Sequence, residues 1–151
     1  MKKRKGEALT FESILEPMGV ITKRLVREEQ ENIMQQWRRT FSKRVKQQTG
    51  HWITGGIDWN TFAGRYAPHV EGQPAIDRFN QLYVKEYTIV AGDNLSVHCQ
   101  GRSLPSYDDF MKVIRSQYYE FDTYISHVNF NWTFVITHDK FVGPFFAKKL
   151  R

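Results

Sequence analysis

The chain has 151 residues, 40% of them hydrophobic and 15% aromatic, enough for one domain with a sizeable core and not for two. No run approaches the roughly 18 apolar residues of a membrane span, and the basic start MKKRKGEALTF leads into no signal-peptide segment, so the expectation is a cytoplasmic protein with no membrane partner. The net charge of +6 divides unevenly: residues 1–50 hold 12 Lys/Arg against 6 Asp/Glu, and residues 51–151 hold 10 against 10. Any attraction for nucleic acid or an acidic surface therefore belongs to the N-terminal third.

Residues 1–9 read as a flexible basic lead to a single domain spanning 1–151. Thr10 suits the N-cap of a short helix through Phe11, Ile14 and Leu15, kept brief by Pro17 and stopped near Gly19. Residues 20–26 fit either an extended segment or the entry to the next helix. That helix is expected over 27–47, where Ile33, Met34, Trp37, Phe41 and Val45 fall within an arc of about 120° and Arg39, Lys43 and Lys46 cluster nearly opposite. A glycine- and aromatic-rich connection follows, carrying Trp52, Trp59, Phe62 and Tyr66. Pro74 then opens a helix with Ala75, Ile76, Phe79 and Leu82 on one side. Residues 83–91 and 95–99 read as strands around the turn Gly92-Asp93-Asn94. A helix over 105–115 shows Tyr107, Phe110, Met111 and Ile114 at helical spacing, with Ser106 as cap and Asp108 and Asp109 favouring its N-terminal dipole.

The most sharply specified stretch is 121–146, FDTYISHVNFNWTFVITHDKFVGPFF. Trp132, Phe134 and Ile136 alternate with Thr133, Val135 and Thr137, the period of a half-buried strand. Paired with 121–127 so that partners sum to 259, Ile125 meets Phe134 and Thr123 meets Ile136 on a greasy face, while Tyr124 meets Val135 and Ser126 meets Thr133 on a mostly hydroxylated one. A slip of one residue would mix the faces, so the pattern selects the register. Asn129 suits the turn, whereas Phe130 is a poor stand-in for glycine. A last strand is expected over 145–148. The fold class that results is α+β: an antiparallel sheet of four to five strands with three to four packed helices.

Chemistry is sparse. The single cysteine, Cys99, excludes an internal disulfide and any cysteine-based zinc cage. It stands beside His98, but neighbours on a strand point to opposite faces, so the two form no thiolate–base pair and Cys99 reads as a buried, inert thiol. The five histidines have no metal-ligand spacing, and His127 and His138 lie roughly 20 Å apart along the hairpin. No metal site and no cofactor are expected. His138, flanked by Thr137 and Asp139 at a strand end, is the one candidate general base; the competing reading is a hydrogen-bonded histidine continuing the face of Trp132, Phe134 and Ile136.

The strings NFNWTFVITHD and GPFF, preceded in order by WNTFAGRY and EGQPAIDRFN, resemble the signature of a small bacterial family catalogued as domain of unknown function four-two-seven-five. In that family a strand of the form FxWTYVxTHE leads into GPYF. This chain has Phe134 and Phe145 where the family tends to have tyrosine, Asp139 for glutamate, and Asn60 for a histidine. The resemblance spans roughly 59–146 and implies a compact bacterial cytoplasmic domain; it supplies no reaction.

Three functions follow as expectations. The leading one is a non-enzymatic protein-binding module, such as an immunity protein that neutralises a toxin, with Trp52, Trp59, Tyr66 and Arg65 as anchors. The second is a nucleic-acid binder using Lys2, Lys3, Arg4 and Lys5 with Arg39, Lys43 and Lys46. The third is an enzyme centred on His138.

Overall fold

The computed structural model describes residues 8–117 and 121–150, with Asp93 described in its backbone only. In chain order the first half comprises α1 (Phe11–Leu15), a 3-10 turn (Glu16–Met18), β1 (Ile21–Arg24), α2 (Arg27–Phe41), α3 (Lys43–Thr49), the one-turn α4 (Asn60–Ala63) and β2 (Val70–Glu71). The second half comprises α5 (Gln73–Asn80), β3 (Glu86–Ala91), the one-turn α6 (Gly92–Leu95), β4 (Val97–Gln100), α7 (Tyr107–Ser116), β5 (Thr123–His127), β6 (Trp132–Ile136) and β7 (Phe145–Lys148). The strands form one sheet in the order β1-β4-β3-β5-β6-β7-β2, every neighbouring pair antiparallel. The α+β class stands, with seven strands instead of four to five.

Local signals account for most of these elements. The Thr10 hydroxyl accepts from the Ser13 N–H at the start of α1, and Ser106 and Asp109 cap α7 reciprocally, each side chain accepting from the other's backbone N–H. Glu29 reaches back to accept from the Val26 N–H, closing the first turn of α2. The hairpin register is the one that alternation selects: Thr123 opposite Ile136, Tyr124 opposite Val135, Ile125 opposite Phe134 and Ser126 opposite Thr133.

The strands of the hairpin are not half-buried. One face, bearing Tyr87, Ile89, Ile125, Phe134 and Ile136, packs on Phe11, Phe79 and Phe110 of α1, α5 and α7. The other, bearing Val90, Tyr124, Val135, Phe145 and Ala147, is covered by Met34, Trp37 and Phe41 of α2 and by Trp59 and Phe62 of the connection. The sheet is therefore the middle of three layers. Its hydroxylated row is buried too: Ser126 and Thr133 share a hydrogen bond of 2.9 Å, and the Trp37 indole N–H donates to Thr133 Oγ1 at 2.9 Å.

Three expectations need correction. The helix over 27–47 breaks at Ser42 (φ −114°, ψ 20°), and the Phe41 carbonyl at the end of α2 accepts from the Thr61 hydroxyl at 2.8 Å. The added strands are β1, drawn from the segment that fitted either state, and β2, two residues paired with Phe145 and Phe146. Phe130 takes a left-handed conformation (φ 59°) in the hairpin turn while its ring enters the second core. Burying a phenylalanine is worth about 1.5–3 kcal/mol, which offsets the roughly 1–2 kcal/mol of that backbone.

Trp37→Phe keeps a ring in the second core but removes the donor to Thr133. Urea denaturation is expected to show a loss of about 1–3 kcal/mol with an unchanged m-value. Unaltered stability would mean that the indole hydrogen bond contributes nothing.

Candidate functional site

The chemistry-bearing residues gather where β3 ends and β5 begins. Antiparallel pairing sets Ala91 opposite Thr123 and Thr123 opposite Ile136, so the loops leaving β3 and β6 and entering β5 share one edge of the sheet. There a cleft of about 620 Å³ opens between α2, which contributes Glu31, Gln35 and Arg38, the loop bearing Asp58, and the strand ends bearing Asp122 and Tyr124. Arg38 grips Asp58 with two hydrogen bonds, 2.7 Å from Nε and 3.0 Å from the second guanidinium nitrogen. Both side chains are largely shielded, at 26% and 13% exposure. The Asp58 hydrogen bond raises the Arg38 pKa above its ordinary value against the opposing effect of burial, so Arg38 stays charged. Tyr124 is held well above the usual phenol range, first by burial and then by Asp58 and Asp122.

At the rim, Asp122 Oδ1 accepts from the His138 backbone N–H at 2.7 Å and contacts its Nδ1 at 2.8 Å. The carboxylate beside His138 is thus Asp122 and not Asp139, which accepts from the Phe141 N–H. Thr137 is likewise engaged, contacting the carbonyls of Asp139 and Val142. His138 does not continue the core face, because β6 ends at Ile136 and the side chain lies exposed, its ring centre 6.2 Å from that of Trp59. An Asp–His pair orients a base, but catalysis by a nucleophile also needs a hydroxyl or thiol within reach. Thr137 is committed to its own loop, and Cys99 is buried in the first core. Among the described residues, no three His, Cys, Asp or Glu side chains are grouped to hold a metal ion.

Beyond Arg38 the surface changes sign. A groove of about 550 Å³ shares Gln35 and Arg38 with the cleft and adds Arg39, His51, half-buried Trp52 and Ile53. Lys43, Arg44 and Lys46 stand exposed on α3, and Arg44 lines a further hollow with exposed Arg65. Among the described residues, none of Arg39, Lys43, Arg44, Lys46 and Arg65 forms an ion pair. The sequence carries a plain signal for this surface that helical patterning alone does not show: residues 32–57 contain five cations and no acid. Break included, α2 and α3 keep Arg39, Lys43 and Lys46 in solvent. Lys2, Lys3, Arg4 and Lys5 lie outside the described residues.

Of the anchors expected for a partner, Trp52 and Tyr66 are partly accessible and Arg65 is exposed. Trp59 is not an anchor: it is 7% exposed and stacks on Phe145, as the apolar content of its segment favours. No helix among the described residues is long and apolar enough to cross a membrane. In comparisons with known proteins the chain matches no family model, no curated protein and no solved structure.

Two outcomes follow. Asp58→Ala strands a partly shielded guanidinium and is expected to cost about 1.5–3 kcal/mol in denaturant titration, the scale of a hydrogen bond to a charged group; a cost within about 0.5 kcal/mol would place the pair among inconsequential surface contacts. Burial pushes the Cys99 thiol up from about 9 to about 12, with Tyr87 opposing and Glu12 adding to the shift. Its unfolded form ionises first, so the stabilisation is full below pH 9 and is lost as pH rises toward 12. The native thiol is expected to resist alkylation at pH 8 and to react fully in denaturant, and the urea midpoint to fall between pH 9 and 11.

Proposed function

We propose that the protein is a non-enzymatic binding module whose cationic α2–α3 surface docks an acidic protein partner, in the manner of a small inhibitor or immunity protein seated on a toxin. The carrying observation is the set of exposed cations Arg39, Lys43, Arg44 and Lys46, none of them ion-paired among the described residues, with Arg39 sharing a groove with the half-buried ring of Trp52. Arginine and tryptophan are the residue types on which interface energy concentrates, and unpaired cations speed encounter with an oppositely charged surface.

Two features favour protein over nucleic acid. Of the aromatic rings in the connection, Trp59 and Phe62 are consumed by the core, which leaves Trp52 as the single Trp, Tyr or Phe ring lining the cationic groove instead of a row on which successive bases could stack. The cationic groove also abuts a cleft carrying Glu31, Asp58 and Asp122, the first paired with Arg27 and the second with Arg38, and Asp122 at its rim opposes a phosphate backbone running along α2. A protein surface of mixed charge can match both halves.

The triple variant Arg39→Glu/Lys43→Glu/Lys46→Glu is expected to melt as the wild type does and to lose at least tenfold in affinity for a partner captured by the wild-type protein. Equal capture by both would remove the surface from the interaction. A labelled single- or double-stranded oligonucleotide, titrated by fluorescence anisotropy at 50 and 200 mM salt, separates the readings: tight binding that falls at least tenfold across that range and vanishes in the triple variant would establish the nucleic-acid reading instead.

A further inference from the structure

The hydroxylated row beneath Trp37 does not end there. Thr133 opposes Ser126, Ser126 opposes Thr88, Thr88 opposes His98 and His98 opposes Lys23, so one polar line crosses β6, β5, β3, β4 and β1 on the face turned to α2. Trp37 covers only its first part. Over the remainder, α2 and the sheet leave a groove of about 500 Å³ walled by Leu25, Ile33, Val128 and Phe130.

Two groups in this groove have unused hydrogen-bonding capacity. Thr88 is only 5% exposed, and its hydroxyl has no partner among the described residues. A buried hydroxyl left unpaired costs about 1–3 kcal/mol. Next to it on β4, His98 Nε2 lies 2.6 Å from Glu86 Oε2. A carboxylate only accepts, so Nε2 carries a proton, and in that tautomer Nδ1 is left as an acceptor. The charges facing the groove are Lys23, Glu29 and Glu86, a balance of minus one, and Lys23 lies 4.0 Å from Glu29 across its mouth.

We propose that this groove is a binding site for a small, mainly apolar molecule bearing an uncharged hydroxyl. The Thr88 O–H donates to the ligand oxygen, the ligand O–H donates to His98 Nδ1, and the aliphatic and aromatic walls take up the rest of the molecule. An alcohol or phenol meets both requirements with one atom, because it donates and accepts together. A carboxylate cannot donate and meets the acidic balance of Glu29 and Glu86. The site is separate from the cationic surface and does not depend on the partner proposed for it.

The test is a titration of isotope-labelled protein with benzyl alcohol and benzoate, followed by amide shifts of Leu25, Ile33, Thr88 and Val128. Benzyl alcohol is expected to saturate these shifts, and benzoate to bind at least tenfold more weakly. Thr88→Val, nearly equal in shape, is expected to weaken benzyl alcohol about five- to tenfold, the consequence of losing one neutral hydrogen bond. Since it also removes an unpaired buried hydroxyl, its melting temperature should match or exceed that of the wild type. Absence of saturable shifts with benzyl alcohol, equal affinity of the Thr88→Val variant, or a preference for benzoate would each overturn the assignment.

Discussion

One buried polar contact fixes the layer on which the two hollows between α2 and the sheet depend. Apolar packing alone lets a helix slide or roll over a sheet at modest cost, whereas a buried donor and acceptor must keep their geometry or leave a group unpaired. The Trp37 indole supplies that constraint: its N–H is spent on Thr133, and its ring meets Tyr124 edge-on at 5.1 Å and 79°. With the helix so rotated, Glu31, Gln35 and Arg38 face the cleft on one side, and Glu29, Ile33 and Gln36 face the groove on the other. Both hollows are what remains of the sheet when a single helix is pinned across its middle.

The parts of the fold that were legible are those in which local chemistry and global position agree. Alternation in 121–136 specified the hairpin register residue by residue, and Ser106 and Asp109 marked the start of α7. What patterning missed was decided by distant residues. Val45 stays on the apolar stripe after Ser42, so periodicity carries the helix straight on; it is Thr61, twenty residues away, that meets the Phe41 carbonyl at the break. The edge strands were illegible for another reason. β1 exposes Ile21, Lys23 and Arg24, and β2 has only two residues, so neither carries the alternation of a strand that buries a face. The half-buried expectation failed because alternation reports two different faces and does not say that the less greasy one is dry: a serine and a threonine that bond each other and an indole are satisfied without water.

The site was legible only in pieces. That His138 stands near a carboxylate was visible, but adjacency in sequence pointed to Asp139, while the register brings Asp122 across the hairpin. The aromatic connection was correctly rich in core residues, yet composition alone does not distinguish Trp52, left half-accessible beside Arg39, from Trp59, stacked on Phe145. The row from Thr133 to Lys23 involves five strands spread over residues 21–136, so no local window contains it.

The placement of charge along α2 and α3 is the strongest argument that the cationic surface is more than a solvated face. Acids early in a helix and cations late in it are what the helix dipole favours, and α2 follows that rule with Glu28 and Glu29 in its first turn and Arg38 and Arg39 in its last. Dipole and solubility explain α2 without any partner. They do not explain α3, which begins with Lys43 and Arg44 and has no acidic residue in its first turn. Cations there oppose the dipole of α3 by roughly 0.3–1 kcal/mol each at exposed positions, and Arg39, Lys46 and Arg65 add charge of the same sign, none of them ion-paired among the described residues. A helix selected for stability alone would carry a glutamate near its start, as α2 does. The fold thus retains a locally unfavourable charge arrangement on this surface, and an acidic partner seated there would relieve the mutual repulsion as well as fill the groove beside Trp52.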